Sequence, residues 1–96
     1  YDIKILDIRN KKNNLFNYFI ICSGKSNLHI KTIYNKIKIS IKRKFKIIPY
    51  NIEGLNNYEW VLIDYNFIII NVFLKKIRDY YNIDNLWEKY PIITIN

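Results

Sequence analysis

The chain contains few of the residues that build disulfides, metal sites and flexible loops. Its 96 residues include one cysteine, one histidine, two glycines and two prolines, and no methionine. Because Cys22 has no second thiol, an intramolecular disulfide and a multi-thiolate metal site are excluded, and a reducing compartment is expected. No apolar run approaches the roughly 20 residues of a membrane span, so no membrane partner is expected. The length suits one domain and excludes a multidomain enzyme.

The composition favours a folded domain. Half of the residues are hydrophobic, 17% are aromatic and 25% are charged, so the chain can bury enough apolar surface to offset its ordering entropy. Ile, Asn, Lys, Tyr and Phe dominate and share AT-rich codons, and the total number of lysines therefore carries little functional information. That bias does not explain Trp60 and Trp87.

The net charge of +8 comes from one segment. Residues 25–46 hold eight basic side chains and no acidic one, whereas basic and acidic residues balance elsewhere. Apolar residues recur there at helical spacing and Ser26 is a suitable N-cap, which predicts an amphipathic helix over 27–44. Its apolar stripe consists of Ile30, Ile33, Tyr34, Ile37 and Ile41. A solvated face is the usual role of such lysines; the alternative is a surface that faces RNA, formed by Lys38, Lys42 and Arg43.

Strand and helix signals along the chain predict an α/β fold. Runs rich in β-forming residues occupy 2–8, 18–23, 46–52, 58–65 and 67–73, and two short helical or turn-like segments cover 75–81 and 82–87. The last two runs are separated by little more than Asn66, which predicts an antiparallel hairpin. We therefore expect a single domain over 1–96, with a mixed sheet of about five strands flanked by helices.

No group of residues forms a recognisable catalytic, metal or nucleotide site. The Gly-Lys-Ser sequence at 24–26 lies between a strand and a helix, as in a phosphate-binding loop, but Phe19 stands where that loop needs its first glycine. His29 has no second ligand at metal-binding spacing, so a capping or surface role is expected. Glu59 and Asp64 are an odd number of residues apart and point to opposite faces of a strand. We expect neither an enzyme nor a cofactor or metal.

Aromatic and charged residues are dense after Tyr58. Trp, Tyr and Arg are enriched at the hot spots of protein interfaces, although part of these aromatics is expected to fill the core. Strand alternation places three residues on one face, namely Trp60, Leu62 and Asp64. The residues between them, and Tyr65, point to the other face. We expect the face with Asp64 to be exposed.

Taken in order, these segments form a recognisable pattern. The main blocks are NYFIICSGKSNLHI at 17–30, EWVLIDY at 59–65, IIINVF at 68–73 and IRDYYNIDNLW at 77–87. Together they resemble the Iojap family, the ribosomal silencing factors (RsfS), over nearly the whole chain. The resemblance implies a mixed sheet flanked by helices, related in shape to nucleotidyltransferases but without their catalytic motif. We also expect the family's usual N-terminal helix to be missing.

The resemblance implies a function at the ribosome. Family members bind a conserved protein of the large ribosomal subunit, the fourteenth in the standard series, and sterically prevent the small subunit from joining. Translation is thereby repressed when nutrients are short. A bacterial cytoplasm is the expected location, with an organelle containing bacterial-type ribosomes as the alternative, and the family's tendency to pair makes a homodimer plausible. The other function left open is an RNA-binding module acting through residues 25–46.

The family's partner-binding surface maps to seven residues of this chain: Trp60, Leu62, Asp64, Tyr65, Arg78, Tyr80 and Tyr81. We expect the aromatic rings to supply apolar contact, and Asp64 and Arg78 to set orientation. Three positions depart from the family, where Asp, Arg and His are common: Asn17, Leu28 and Asn71. These departures put in question whatever packing or docking contacts the family's side chains make there.

Overall fold

The computed structural model describes residues 1–9, 17–86 and 91–95. Six strands and three helices lie in this part of the chain. The strands are β1 (Ile3–Asp7), β2 (Tyr18–Gly24), β3 (Asn51–Glu53), β4 (Trp60–Asp64), β5 (Ile68–Leu74) and β6 (Ile92–Ile95). The helices are α1 (Asn27–Phe45), α2 (Lys75–Tyr80) and α3 (Ile83–Leu86).

The described strands form one mixed sheet in the order β3-β4-β5-β2-β1-β6. At its centre β2 and β5 pair in parallel along their full length, from Tyr18 opposite Ile68 to Gly24 opposite Leu74. The remaining pairs are antiparallel, and they include the hairpin of β4 and β5. The predicted α/β class, the mixed sheet and the hairpin are confirmed.

Helices cover both faces of the sheet. The stripe of α1 packs on the face formed by alternate residues of the central strands, including Cys22, Val61, Ile63 and Val72. On the opposite face, Ile77 of α2 and Ile83 of α3 pack against a smaller cluster, which contains Leu6, Ile8, Ile21 and Phe73. The two helical layers therefore bury different sets of strand residues.

Helix α1 begins with a reciprocal cap. Ser26 Oγ accepts a hydrogen bond from the N–H of His29 at 3.0 Å, and His29 Nδ1 accepts one from the N–H of Lys25 at 2.8 Å. The helix ends where Lys46 adopts a left-handed conformation and donates its N–H to the carbonyl of Lys42. Ser26 as N-cap and His29 as a capping residue are confirmed. No described helix is long and apolar enough to cross a membrane.

Two details of the sheet differ from the sequence expectation. The third strand is Asn51–Glu53 rather than 46–52, because Lys46 terminates α1 and just three residues pair with β4. A further strand, Ile92–Ile95, pairs with β1 and extends the sheet to six strands. Since β6 pairs with the start of the chain, no local turn signal indicates it.

Gly54 is required by the turn between β3 and β4. Its φ is +94°, and a Cβ there would overlap the backbone carbonyl oxygen of Trp60. At Gly24 an added Cβ would meet the end of the Ile30 side chain, which can shift.

We therefore expect Gly54→Ala to lower the free energy of unfolding by about 3 kcal/mol, and Gly24→Ala by about 1 kcal/mol. Urea unfolding of both variants measures the difference, and equal losses would contradict the backbone constraint at Gly54.

Candidate functional site

Three exposed aromatic side chains lie close together on the sheet face opposite α1. Trp60, Tyr80 and Tyr81 are 40%, 80% and 55% exposed. The ring centroid of Trp60 lies 4.6 Å from that of Phe73 and 6.4 Å from that of Tyr81, and Tyr80 meets Tyr81 edge to face at 4.9 Å. Trp60, Tyr80 and Tyr81 are called the aromatic surface below. A cluster of exposed aromatic rings on a folded domain is typical of an interaction site.

The aromatic surface is held by backbone contacts between β4, β5 and α2. Strand β5 passes directly into α2 at Leu74, so the helix starts at a position fixed by the sheet. The N–H of Leu74 donates to the carbonyl of Glu59 at 2.8 Å, which ties the start of α2 to the residue before Trp60. Trp60 also lies opposite Phe73 in the β4–β5 pair. The positions of Trp60 and the two tyrosines are therefore set by the same pair of strands, β4 and β5.

Leu62 and Asp64 continue the face of Trp60 along β4, as strand alternation predicts, and both are half-buried. Asp64 Oδ1 accepts a hydrogen bond from the N–H of Asn66 at 2.7 Å. Asn66 is left-handed, with φ of 79°, and lies in the turn between β4 and β5. Asp64 therefore shapes the hairpin turn as well as lining the predicted contact face.

Asn71 supports the aromatic surface from inside the protein. Its side chain is fully buried, and its Oδ1 accepts a hydrogen bond from Trp60 Nε1 at 2.9 Å. Its neighbours in the strand register are the apolar residues Leu62 and Ile21. The sequence marks Asn71 as a departure from the family pattern but does not predict this contact. The available signal was a lone amide within an otherwise apolar strand.

Tyr65 lies outside the aromatic surface. It is 5% exposed and packs in the core beneath α1, with Val61 and Ile63. Burial raises the pKa of its phenol, and the nearby Tyr34 raises it further. The structure contradicts the expected contact role of Tyr65, because its place in the strand alternation directs it to the face that α1 covers.

Arg78 is also buried, at 4% exposure. Its Nε donates to Asp84 Oδ1 at 2.9 Å, and its Nη1 donates to the Asp2 carbonyl at 2.7 Å and to Ser23 Oγ at 2.8 Å. These bonds connect α2 to α3, to the residue before β1 and to the end of β2. The structure contradicts the expected direct role of Arg78 in partner contact and gives it an internal one: it anchors the helix that leads to Tyr80 and Tyr81.

Asp84 is the charged partner of Arg78 and also accepts a hydrogen bond from Lys4 Nζ at 3.1 Å. Burial raises the pKa of Asp84, but the hydrogen bonds from Arg78 and Lys4 outweigh this effect and hold the pKa below its ordinary value. Because folding lowers this pKa, the resulting stabilisation is fully present above the ordinary aspartate pKa of about 3.9. It is lost as the pH falls through the lower pKa of the folded state.

The predicted RNA-facing residues lie on α1, on the other side of the sheet from the aromatic surface. Lys42 and Arg43 are exposed in the last turn of the helix. Lys38 is half-buried, and its Nζ lies 5.0 Å from the centroid of the Tyr34 ring. The basic candidates and the aromatic candidates therefore form two separate surfaces.

The described residues assemble no metal site: within 1–9, 17–86 and 91–95, no group of three His, Cys, Asp or Glu side chains is placed to hold an ion. Cys22 is a buried core residue, and burial raises the pKa of its thiol. His29 is engaged in the cap of α1. Trp87, which the sequence pattern also singled out, lies outside the described residues.

Known proteins resemble this chain in both sequence and fold. The family model described as ribosomal silencing factor during starvation matches residues 1–96. A ribosomal silencing factor of Chromobacterium violaceum is 36% identical over 90 residues, which are 90% of this chain and 73% of that protein. A crystal structure of a Chromobacterium violaceum protein has a TM-score of 0.81 at 34% identity, covering 91% of this chain and 71% of the other. The mouse protein named mitochondrial assembly of ribosomal large subunit protein 1 is 31% identical over 72 residues, which are 73% of this chain and 32% of its own length.

The ion pair between the buried Arg78 and the partly exposed Asp84 is expected to contribute measurably to stability. Asp84→Ala should lower the free energy of unfolding at neutral pH by about 1.5–3 kcal/mol, because Arg78 loses its charged partner. Asp79→Ala is the matched control, since Asp79 pairs with the exposed Lys75 at 2.9 Å and should cost at most about 0.5 kcal/mol.

Urea unfolding at neutral pH and near pH 3 measures both effects. The stability difference between the wild type and Asp84→Ala should narrow as the pH falls below the ordinary aspartate pKa. A difference that stays constant over this range would show that the charge of Asp84 is not what stabilises the fold.

Proposed function

The chain belongs to the ribosomal silencing factor family, and from this premise we propose that it binds the large ribosomal subunit and sterically blocks joining of the small subunit. Its contact on the large subunit is the fourteenth protein of the standard series, which the family resemblance implies. Translation is repressed as a result. The observation that carries the proposal is the aromatic surface, formed by Trp60, Tyr80 and Tyr81 on one face of the sheet.

The aromatic surface has the chemistry of a protein-binding hot spot. Large aromatic rings lose little side-chain entropy on docking and bury much apolar area. The polar atom of the Trp60 indole already donates to Asn71, so docking leaves no unpaired Nε1 donor at this ring. Leu62 and Asp64 extend the surface along β4 and complete the contact face we propose.

The mechanism needs no chemical step. Subunit joining is blocked when a bound domain occupies space that the other subunit needs, so affinity and position suffice. The bacterial relative is named a silencing factor, a regulatory rather than a catalytic name. We therefore propose a non-enzymatic factor that needs no cofactor, in a bacterial cytoplasm or in an organelle with bacterial-type ribosomes. Homodimer formation stays a prediction.

A second candidate contact is ribosomal RNA at the end of α1. Lys42 and Arg43 are exposed there, and the aromatic residues Phe45 and Tyr50 are 65% and 81% exposed. Cations paired with exposed rings are the elements of single-strand binding, in which phosphates contact the charges and bases stack on the rings. With Lys38 on the same helix, this surface suits RNA beside the protein partner, and its position behind the sheet leaves the aromatic surface free.

Trp60→Ala and Tyr81→Ala are expected to weaken binding to isolated large subunits. If Trp60 is a hot spot, its truncation costs about 2 kcal/mol or more, which is about a 30-fold loss of affinity. Ile39→Ala is the matched control, because Ile39 is 53% exposed on α1, which packs on the other face of the sheet from the aromatic surface. Co-sedimentation with large subunits, before and after small subunits are added, measures binding and the block to joining.

Circular dichroism confirms that each variant is folded before its affinity is compared. Unchanged affinity of both folded aromatic variants would refute the aromatic surface as the docking site. Normal binding of the wild type with no effect on subunit joining would refute the steric mechanism.

If RNA binds at the end of α1, the salt dependence of its affinity should depend on the charges of that surface and not on those of α2. Reversing two charges in Lys42→Glu/Arg43→Glu should reduce the slope of log affinity against log salt for a single-stranded RNA oligonucleotide by about 1.4. Lys75→Glu/Lys76→Glu changes the net charge equally, but on α2. Equal effects of the two double variants, measured by fluorescence anisotropy, would indicate attraction by net charge alone and remove the case for a defined RNA surface.

A further inference from the structure

We propose that Asn71 is the positioning residue of the aromatic surface, holding the indole of Trp60 in the one orientation that the ribosomal partner recognises. This inference rests on the proposed docking function and adds a residue to it. Asn71 is fully buried, so it cannot contact a partner itself. Any effect it has on docking must pass through Trp60, whose Nε1 donates to Asn71 Oδ1 at 2.9 Å.

The hydrogen bond to Asn71 is the directional contact of the Trp60 ring. Its neighbours Phe73 and Tyr81 meet it ring against ring, at centroid distances of 4.6 Å and 6.4 Å. Such contacts tolerate an indole turned over about its second side-chain torsion, because the torsion is broad and both ring faces are apolar. A turned ring would move Nε1 away from Asn71. The hydrogen bond to the amide oxygen therefore favours one of two ring orientations whose stacking energies are nearly equal.

Asn71 is poorly explained as a stabilising residue. It stands in the apolar strand β5, between the register partners Leu62 and Ile21. Its Nδ2 is buried and makes no hydrogen bond within the described part of the chain. A buried donor without a partner lowers stability, and an aliphatic residue would avoid that cost. A residue that lowers the stability of the fold is expected at a position where function requires that residue.

Two substitutions at this position separate orientation from stability. Asn71→Leu removes both the acceptor for Trp60 and the unpaired donor, whereas Asn71→His keeps a ring nitrogen that can accept from the indole. Ile69→Val is the matched control, because Ile69 lies two residues away on the same face of β5 and loses volume without loss of an acceptor. If the leucine variant does not fold, Asn71→Ala provides the same comparison.

Each variant is made with Trp87→Phe, so that Trp60 is the sole indole of the chain. Three quantities are measured: the free energy of unfolding in urea, the solvent exchange rate of the Trp60 Nε1 proton by nuclear magnetic resonance, and the affinity for isolated large subunits. For Asn71→Leu we expect unchanged or higher stability, proton exchange at least about tenfold faster and affinity about tenfold lower. Asn71→His should restore slow exchange and affinity, and Ile69→Val should change neither.

The outcomes separate this inference from the proposed function. If Trp60→Ala weakens subunit binding but Asn71→Leu changes neither exchange nor affinity, the positioning role is overturned and the docking site stands. The positioning role is also overturned if Asn71→Leu loses affinity for large subunits while the solvent exchange of the Trp60 Nε1 proton is unchanged. It is overturned as well if Asn71→His restores neither slow exchange nor affinity. If Trp60→Ala itself binds normally, the recognition of an oriented indole is overturned, and the docking site is overturned with it when Tyr81→Ala also binds normally.

Discussion

The parallel pairing of β2 with β5 determines where every functional candidate lies. Parallel neighbours need a long crossover, and here the connection contains α1, β3 and β4. Both central strands end at the same edge of the sheet, so α1 and α2 begin close together there. Helix α1 then packs on one face and α2 on the other. The basic residues Lys38, Lys42 and Arg43 are therefore separated from the aromatic surface by the topology of the sheet, and not by repulsion or attraction between charges.

The exposed rings depend on polar groups that solvent does not reach. Arg78 anchors α2 through Asp84, Ser23 and the carbonyl of Asp2, and Asn71 holds the indole that faces outward. A buried guanidinium with several acceptors resists displacement, because each lost bond leaves a charged donor unpaired. The surface that a partner meets is therefore shaped by an internal hydrogen-bond network joining segments distant in the sequence.

Features with local signals were predictable from the sequence, whereas features that depend on distant partners were not. The Ser26 cap, the stripe of α1 and the β4–β5 hairpin follow from spacing within a few residues, and alternation placed Trp60 and Leu62 correctly. Strand β6 and the short β3 depend on which strand lies beside them, which no local pattern states. The burial of Arg78 was missed for the same reason, because the groups that bury it come from elsewhere in the chain. For Tyr65 the alternation of β4 already indicated the face opposite Asp64, and the contact role came from the family resemblance alone.

The direct passage from β5 into α2 has a consequence for recognition. With no loop between strand and helix, Tyr80 and Tyr81 follow β5 through continuous backbone, and the pairing of Trp60 with Phe73 ties β4 to the same strand, so both parts of the aromatic surface are positioned by β5. Little conformational freedom is then left to lose on association, so the entropic penalty is small and shape complementarity dominates selectivity. Such a surface discriminates among candidate partners by rejecting those whose contour differs, instead of adapting to them.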